Sequence, residues 1–291
     1  MESTRRYFQF VKSFLSWASF FLLLAFAWEY WRRGGPFRNL LWDENIMSSL
    51  VESLGWSWSE WVTSLQAEHW IKSASQVVSL VFLLGAIFSI IHLRQPKKVF
   101  KWGILLSTFF LFFQAFLNVK GHFWQLGQMM ELTLQWLSPI FFIIAVKDQV
   151  NLLWLDWMMR IAIAITFIGH ALYAIGFHPV PGHFLSMMMD GFGMEDTSAK
   201  ASLFMIGWLD IIAALSLFVP NEKVKKSALI YIILWGFLTA IARVWSYTSF
   251  YTLGGLLDQW LAQSMLRWVH FLVPLSLWYL EKSKQVKSIS V

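Results

Sequence analysis

A chain of 291 residues that is 57% hydrophobic and only 14% charged, with 19 Trp and 27 Phe, cannot cover a water-facing surface, because soluble domains carry about 25% charged residues. Composition therefore reads as an all-α integral membrane protein. The net charge of +6 does not point to nucleic acid, since most positive residues sit in short loops between apolar runs, where they orient helices. The lack of cysteine excludes disulfides, thiolate catalysis, iron–sulfur ligation and cysteine-held zinc.

A bilayer core ~30 Å thick needs about 20 apolar residues in a helix. That measure predicts eight spans: Phe14–Trp31, Ser75–Leu93, Phe100–Asn118, Phe123–Val146, Leu153–Ala174, Ala201–Val219, Ala228–Tyr247 and Leu257–Leu280. Span one has a rival reading. A positive start, an apolar run and the small residues Ala25 and Ala27 also resemble a cleavable signal peptide. Between spans one and two, Asn39–Trp70 is the longest polar excursion. Ile46, Leu50 and Leu54 recur there at helical spacing, followed by Trp56, Trp58, Trp61 and Trp70. The pattern reads as one or two amphipathic helices on the outer membrane surface, or as a solvated cap on the bundle.

Loop charges set orientation. With eight crossings, Arg5, Arg6 and Lys12 share a side with Arg94, Lys97, Lys98 and Lys101. Lys147, the trio Lys223, Lys225 and Lys226, and the trio Lys282, Lys284 and Lys287 fall on that side too. Arg32, Arg33 and Arg38 fall on the other. The majority predicts both termini in the cytoplasm of a multi-pass protein of the cell (inner) membrane.

The chain repeats itself. In "QMMELTLQWLSPIFFIIAVK" (Gln128–Lys147) and "QSMLRWVHFLVPLSLWYLEK" (Gln263–Lys282), Gln128 matches Gln263, Met130 Met265, Leu137 Leu272, Pro139 Pro274 and Lys147 Lys282 without a gap. Paired lysines precede span three (Lys97, Lys98) and span seven (Lys225, Lys226). This predicts two four-helix halves in parallel orientation, residues 1–150 with the outer segment 39–70, and residues 151–291. Each proline is expected to kink its helix.

Several marks of the second half occur in order. They are Arg160, Phe167 and His170, then "PVPGHF" with Pro181, "GMED" with Glu195, and "GWLD" with Gly207 and Asp210. Over about Leu153–Leu280 they resemble the DoxX-like family of four-helix membrane proteins. Ala171 stands where members carry glycine, and Asp210 where they favour glutamate. The resemblance implies a four-helix fold and association with quinone or redox partners.

Ionisable residues inside spans are functional candidates by default, because an unpaired charge in lipid is costly. Depths counted along the spans place Glu131, His170, Asp210, Arg243, Arg267 and His270 in one polar layer, in the outer half or near the midplane, with Gln114, Asn118 and Gln128. Two acids and two arginines let the layer neutralise itself, and a histidine beside such a pair can relay protons. Asp210 and Arg243, ~8 Å apart in depth on helical rise, are expected to meet directly or through His170 or Glu131. His170 and His270 come out ~10 Å apart in depth, which argues against one haem bridging them. Arg160 reads as an i,i+4 partner of Asp156 that snorkels to the headgroups.

Beyond span five, His178, His183, Met187, Met188, Met189 and Met194 are ligand types suited to Cu(I). Their spacing is no defined metal motif, and methionines also fill gaps in a cap. No phosphate loop, dinucleotide fingerprint or HExxH is present, and no cofactor is named by the sequence. Two readings stand. One is a protein of the lipid bilayer that binds a small or lipid-like molecule, such as a quinone, in the polar layer, as a transporter or redox accessory. The other is a structural or assembly factor whose Trp-rich segment contacts a membrane-protein partner. Enzymatic activity is left open.

Overall fold

The computed structural model describes residues 2–147, 149–248, 250 and 252–289, with side chains between Arg5 and Lys284. The described residues form helices and turns with no strand. Lipid offers no partner to a backbone amide, so a crossing chain satisfies its polar groups within helices.

The elements in order are α1 (Glu2–Arg32), α2 (Arg38–Leu41), α3 (Glu44–Ser53), α4 (Trp58–Thr63), α5 (Leu65–Arg94), α6 (Lys98–Gly121), α7 (Leu126–Glu131) and α8 (Thr133–Ala145). After them come α9 (Leu152–Ala174), α10 (Gly182–Phe192), α11 (Asp196–Ser216) and α12 (Glu222–Trp245). The chain closes with α13 (Leu253–Leu256), a π-helical turn at Leu257–Leu261, α14 (Ala262–Met265) and α15 (Val269–Ile289). Seven helical stretches among the described residues are long and apolar enough to cross a membrane: α1, α5, α6, α7 with α8, α9, α11 and α12. This is a multi-pass membrane architecture. Leu80 and Leu84 on α5 and Phe109, Phe112 and Phe116 on α6 are exposed, forming outward apolar faces suited to lipid.

The eighth predicted span, Leu257–Leu280, is not one helix. It is broken by the π-helical turn and by a turn at residues 266–268 before α15 begins. The fourth span is broken too, at Leu132 between α7 and α8. Both prolines lie inside the helix that follows the break, Pro139 in α8 and Pro274 in α15. A proline cannot bond the carbonyl one turn back. The carbonyls so released are those of Gln135 and His270. Ser138 Oγ donates to the first at 3.5 Å. At the second, α12 approaches at Gly236, where a Cβ would lie 2.4 Å from the His270 oxygen.

Packing follows a ring in each half. In the first half α1 packs on α5, α5 on α6, α6 on α7 and α8, and α8 returns to α1. In the second, α9 packs on α11, α11 on α12, α12 on α14 and α15, and α15 returns to α9. The halves meet through α1 against α15 and through α9 against α7 and α8. Leu15, Leu22, Leu23, Phe82, Phe142 and Ile163 are wholly buried in the shared core. The stretch with the signal-peptide pattern is thus a central element of the bundle. Buried serines tie helices together: Ser16 Oγ donates to the Ser89 carbonyl at 2.8 Å and Ser79 Oγ to that of Ala27 at 2.6 Å, as small polar residues do between membrane helices.

The segment 39–70 holds α2, α3, α4 and the first turns of α5, which starts ten residues before the predicted Ser75. These short helices cap one end of the bundle. Arg38 bonds Glu68, Lys120 bonds Asp43, and Trp61 Nε1 donates to the Leu41 carbonyl at 2.9 Å. Trp56, Trp61 and Trp70 pack ring against ring at 6.0–6.3 Å. Ser57 and Glu60 close a capping box at the start of α4. The stripe of Ile46, Leu50 and Leu54 points outward, while Val51 faces the cap interior.

Candidate functional site

The polar layer assembles around His170, in the last turn and a half of α9. Gly169 makes this possible. A Cβ there would lie 2.8 Å from the Glu131 backbone nitrogen and from Met130 Cβ, so only glycine lets α9 lie this close to α7. His170 Nδ1 then stands 2.7 Å from Glu131 Oε1, and Arg267 Nη1 stands 3.2 Å from His170 Nε2. Arginine only donates and a carboxylate only accepts. The geometry therefore assigns a neutral imidazole with its proton on Nδ1, donating to ionised Glu131 and accepting from Arg267.

His270 packs edge-on against His170 with ring centroids 5.2 Å apart. The expected depth difference of about 10 Å is corrected. It came from counting a continuous rise from Leu257, whereas the π-helical turn and the step at residues 266–268 interrupt that helix.

Asp210 and Arg243 do not pair. Asp210 Oδ1 accepts from the Tyr231 hydroxyl at 2.8 Å, and the Arg243 Nε, buried, has no hydrogen-bond partner. The physical reason lies in the helix ends. α11 begins at Asp196, so Asp210 is fourteen residues in, and Arg243 is two residues from the end of α12. The twelve-residue difference is ~18 Å of helical rise, beyond an arginine's reach.

Both nevertheless line one cavity of about 400 Å³, with His170, Arg267 and His270. Its walls are apolar: Phe167, Phe184, Met187, Met188, Trp235 and Leu238 among them. α10 forms one wall, held by Ser246 Oγ to the Met187 carbonyl at 3.2 Å and by Trp245 Nε1 to the Gly191 carbonyl at 3.1 Å.

A second cavity of about 760 Å³ lies between the halves and is rich in carboxamides: Gln114, Asn118, Gln125, Gln128, Gln135 and Gln263. Glu29 and Glu131 supply its acids, and it reaches the surface at His122 and Pro179. Gln128 Nε2 donates to the Tyr173 hydroxyl at 3.0 Å, which donates to Gln125 Oε1 at 3.2 Å. Arg267 lines both cavities, Glu131 only the polar one and His170 only the apolar one.

Of the six predicted layer residues, Glu131, His170, Arg267 and His270 come together, and Arg243 and Asp210 line the apolar cavity with the last three. Sequence reading missed Tyr231, Gln135, Phe184 and Trp235. The repeat carried a signal for Gln135, which falls opposite His270 in its register, four residues before the proline in each half.

The soft-ligand candidates are spread out. Met187 and Met188 line the apolar cavity and His183 the polar one. Met189 is exposed, and His178 packs on Tyr173 at 5.0 Å. Arg160 does bond Asp156, Nε to Oδ2 at 3.0 Å. It does not snorkel, however. It is buried, bonds Glu281, and donates to the Leu217 carbonyl at 2.7 Å, while Lys284 reaches Asp156 at 3.3 Å. The chain matches no family model, no curated protein and no solved structure.

Proposed function

We propose that the apolar cavity binds an amphiphilic molecule of the membrane, its polar head against Arg243 and Arg267 and its apolar body among Phe184, Met187 and Trp235. The observation that carries this is Arg243. It is 7% exposed, its Nε has no partner, and it lines a mostly apolar cavity with a second arginine. A buried cation left so is costly, and a head with acidic or carbonyl oxygens would satisfy it. Transport of that molecule, or use of a quinone-like one as a redox accessory, is the activity proposed. Kinship with the DoxX-like family remains part of this reading.

The proposed topology has eight crossings and cytoplasmic termini, with two four-helix halves as a parallel repeat. The two ends of α1 support the eighth crossing. Arg32 pairs with Asp258 at 3.0 Å, and Tyr7 packs on Tyr279 at 6.2 Å, so residues 258–279 run the length of α1 in the opposite sense. The matching rings of helices support the repeat.

The test is mass spectrometry of molecules extracted from purified wild type and Arg243→Gln. An amphiphile with an anionic or carbonyl head, enriched over bulk lipid in the wild type and depleted at least fivefold in the variant, is expected. Equal recovery from both would refute the reading. The exposed stripe of Ile46, Leu50 and Leu54 favours the second reading, a membrane-complex assembly factor. It gains if the cavity carries no enriched molecule and a membrane protein crosslinks through α3.

A further inference from the structure

We propose that Glu131 and His170 act as a proton-accepting dyad for the occupant of the apolar cavity, and that the polar cavity is the route by which that proton leaves. The proposal rests on the ligand-binding reading above and specifies its chemistry: the occupant carries a weakly acidic hydroxyl.

The geometry is that of a carboxylate–imidazole pair set in a wall. Glu131 faces the polar cavity, His170 the apolar one, and 2.7 Å separates Oε1 from Nδ1. A carboxylate that accepts from Nδ1 leaves Nε2 with the lone pair, the arrangement that makes a histidine a general base. The other groups facing His170 are Arg267 at Nε2, His270 edge-on, and Arg243 and His183 at longer range. Two of these are arginines, placed to hold the anion that deprotonation produces.

In the step itself, the occupant's O–H bond breaks as an Nε2–H bond forms on His170. The Nδ1–H bond breaks as an O–H bond forms on Glu131. Arg267, which donates to Nε2 at 3.2 Å in the structure, turns to the new oxyanion beside Arg243. Glu131 then releases its proton among the carboxamides of the polar cavity. No oxidant or reductant takes part. A carboxylic acid would arrive already ionised at neutral pH and would need no base. A hydroxyl with a pKa above neutrality would.

The test uses a long-chain alkyl para-nitrophenol, whose anion is yellow, taken up by the purified full chain in detergent micelles. The wild type is expected to hold it as the anion at a pH where the probe in empty micelles is colourless. Glu131→Gln is expected to retain the probe, measured by dialysis, but to develop the yellow band at least fivefold more slowly after a pH jump. Plain electrostatics predicts no such slowing, since removing a negative charge favours a nearby anion. His170→Gln is expected to behave like Glu131→Gln, and whichever variant elutes as a monodisperse peak decides. A variant that binds the probe and develops the band at the wild-type rate, or a wild type that binds it colourless, overturns the dyad alone. A wild type that takes up none of the probe overturns the dyad and the ligand reading together.

Discussion

Replacing Gly169 with alanine tests how the site is held together. The added Cβ would meet the Glu131 nitrogen and Met130 Cβ at 2.8 Å and the Met130 carbonyl carbon at 3.0 Å. Carbon contacts are best at ~3.5–4.0 Å, so α9 and α7 must separate by about 0.7 Å. Two of the three obstructing atoms are backbone, which cannot swing aside. Overpacking of this kind costs ~1–3 kcal/mol, and alanine's advantage over glycine within a helix returns ~1 kcal/mol. The net expectation is a loss of about 1 kcal/mol. Gly182→Ala is the control, because a Cβ there meets nothing within 4 Å, and it should be neutral or stabilising. Thermal unfolding in detergent, followed by tryptophan fluorescence, compares the two. If Gly169→Ala unfolds at or above the temperature of Gly182→Ala, α7 and α9 are not held at the separation argued, and the His170–Glu131 contact loses its structural basis.

Arg160→Met leaves Glu281 without its partner, and Asp156 with Lys284 alone, in a buried site. Breaking such a network costs ~3–5 kcal/mol, and Asp156→Asn should also harm folding more than a headgroup-level acid would; thermal unfolding at wild-type temperature would refute this. The hydrogen bond from Lys120 holds the Asp43 carboxyl below its usual 3.8, so that tie is present above 3.8 and is lost as pH falls through the depressed folded value. Lys120→Met should break it at neutral pH and speed proteolysis within residues 39–63 severalfold; an unchanged cleavage rate would show that α2 and α3 are held by other contacts.

Composition and apolar windows alone determined that this is a helical membrane protein, and they located the seven helical stretches long and apolar enough to cross. The reason is that lipid leaves the backbone only the helix or the closed barrel, and continuous apolar runs of about 20 residues fit the helix. The Arg160–Asp156 pair was legible too, because residues four apart share a helix face. His170 was marked as a site residue simply by being ionisable at depth. Which residues of its layer bond it was not readable, since Glu131 and Arg267 lie 39 and 97 residues away. Depth counting could rank residues along a helix but not across helices. An extra turn at the start of α11 moved Asp210 away from Arg243, and a π-helical turn brought His270 level with His170. Which residues share a cavity, and that one buried dyad separates an apolar space from a polar one, were decided by how far each helix extends and how closely it packs. Glycines at 169 and 236 set those approaches, because contact between helices is governed by the shape of both surfaces at once, and a sequence presents those surfaces only one at a time.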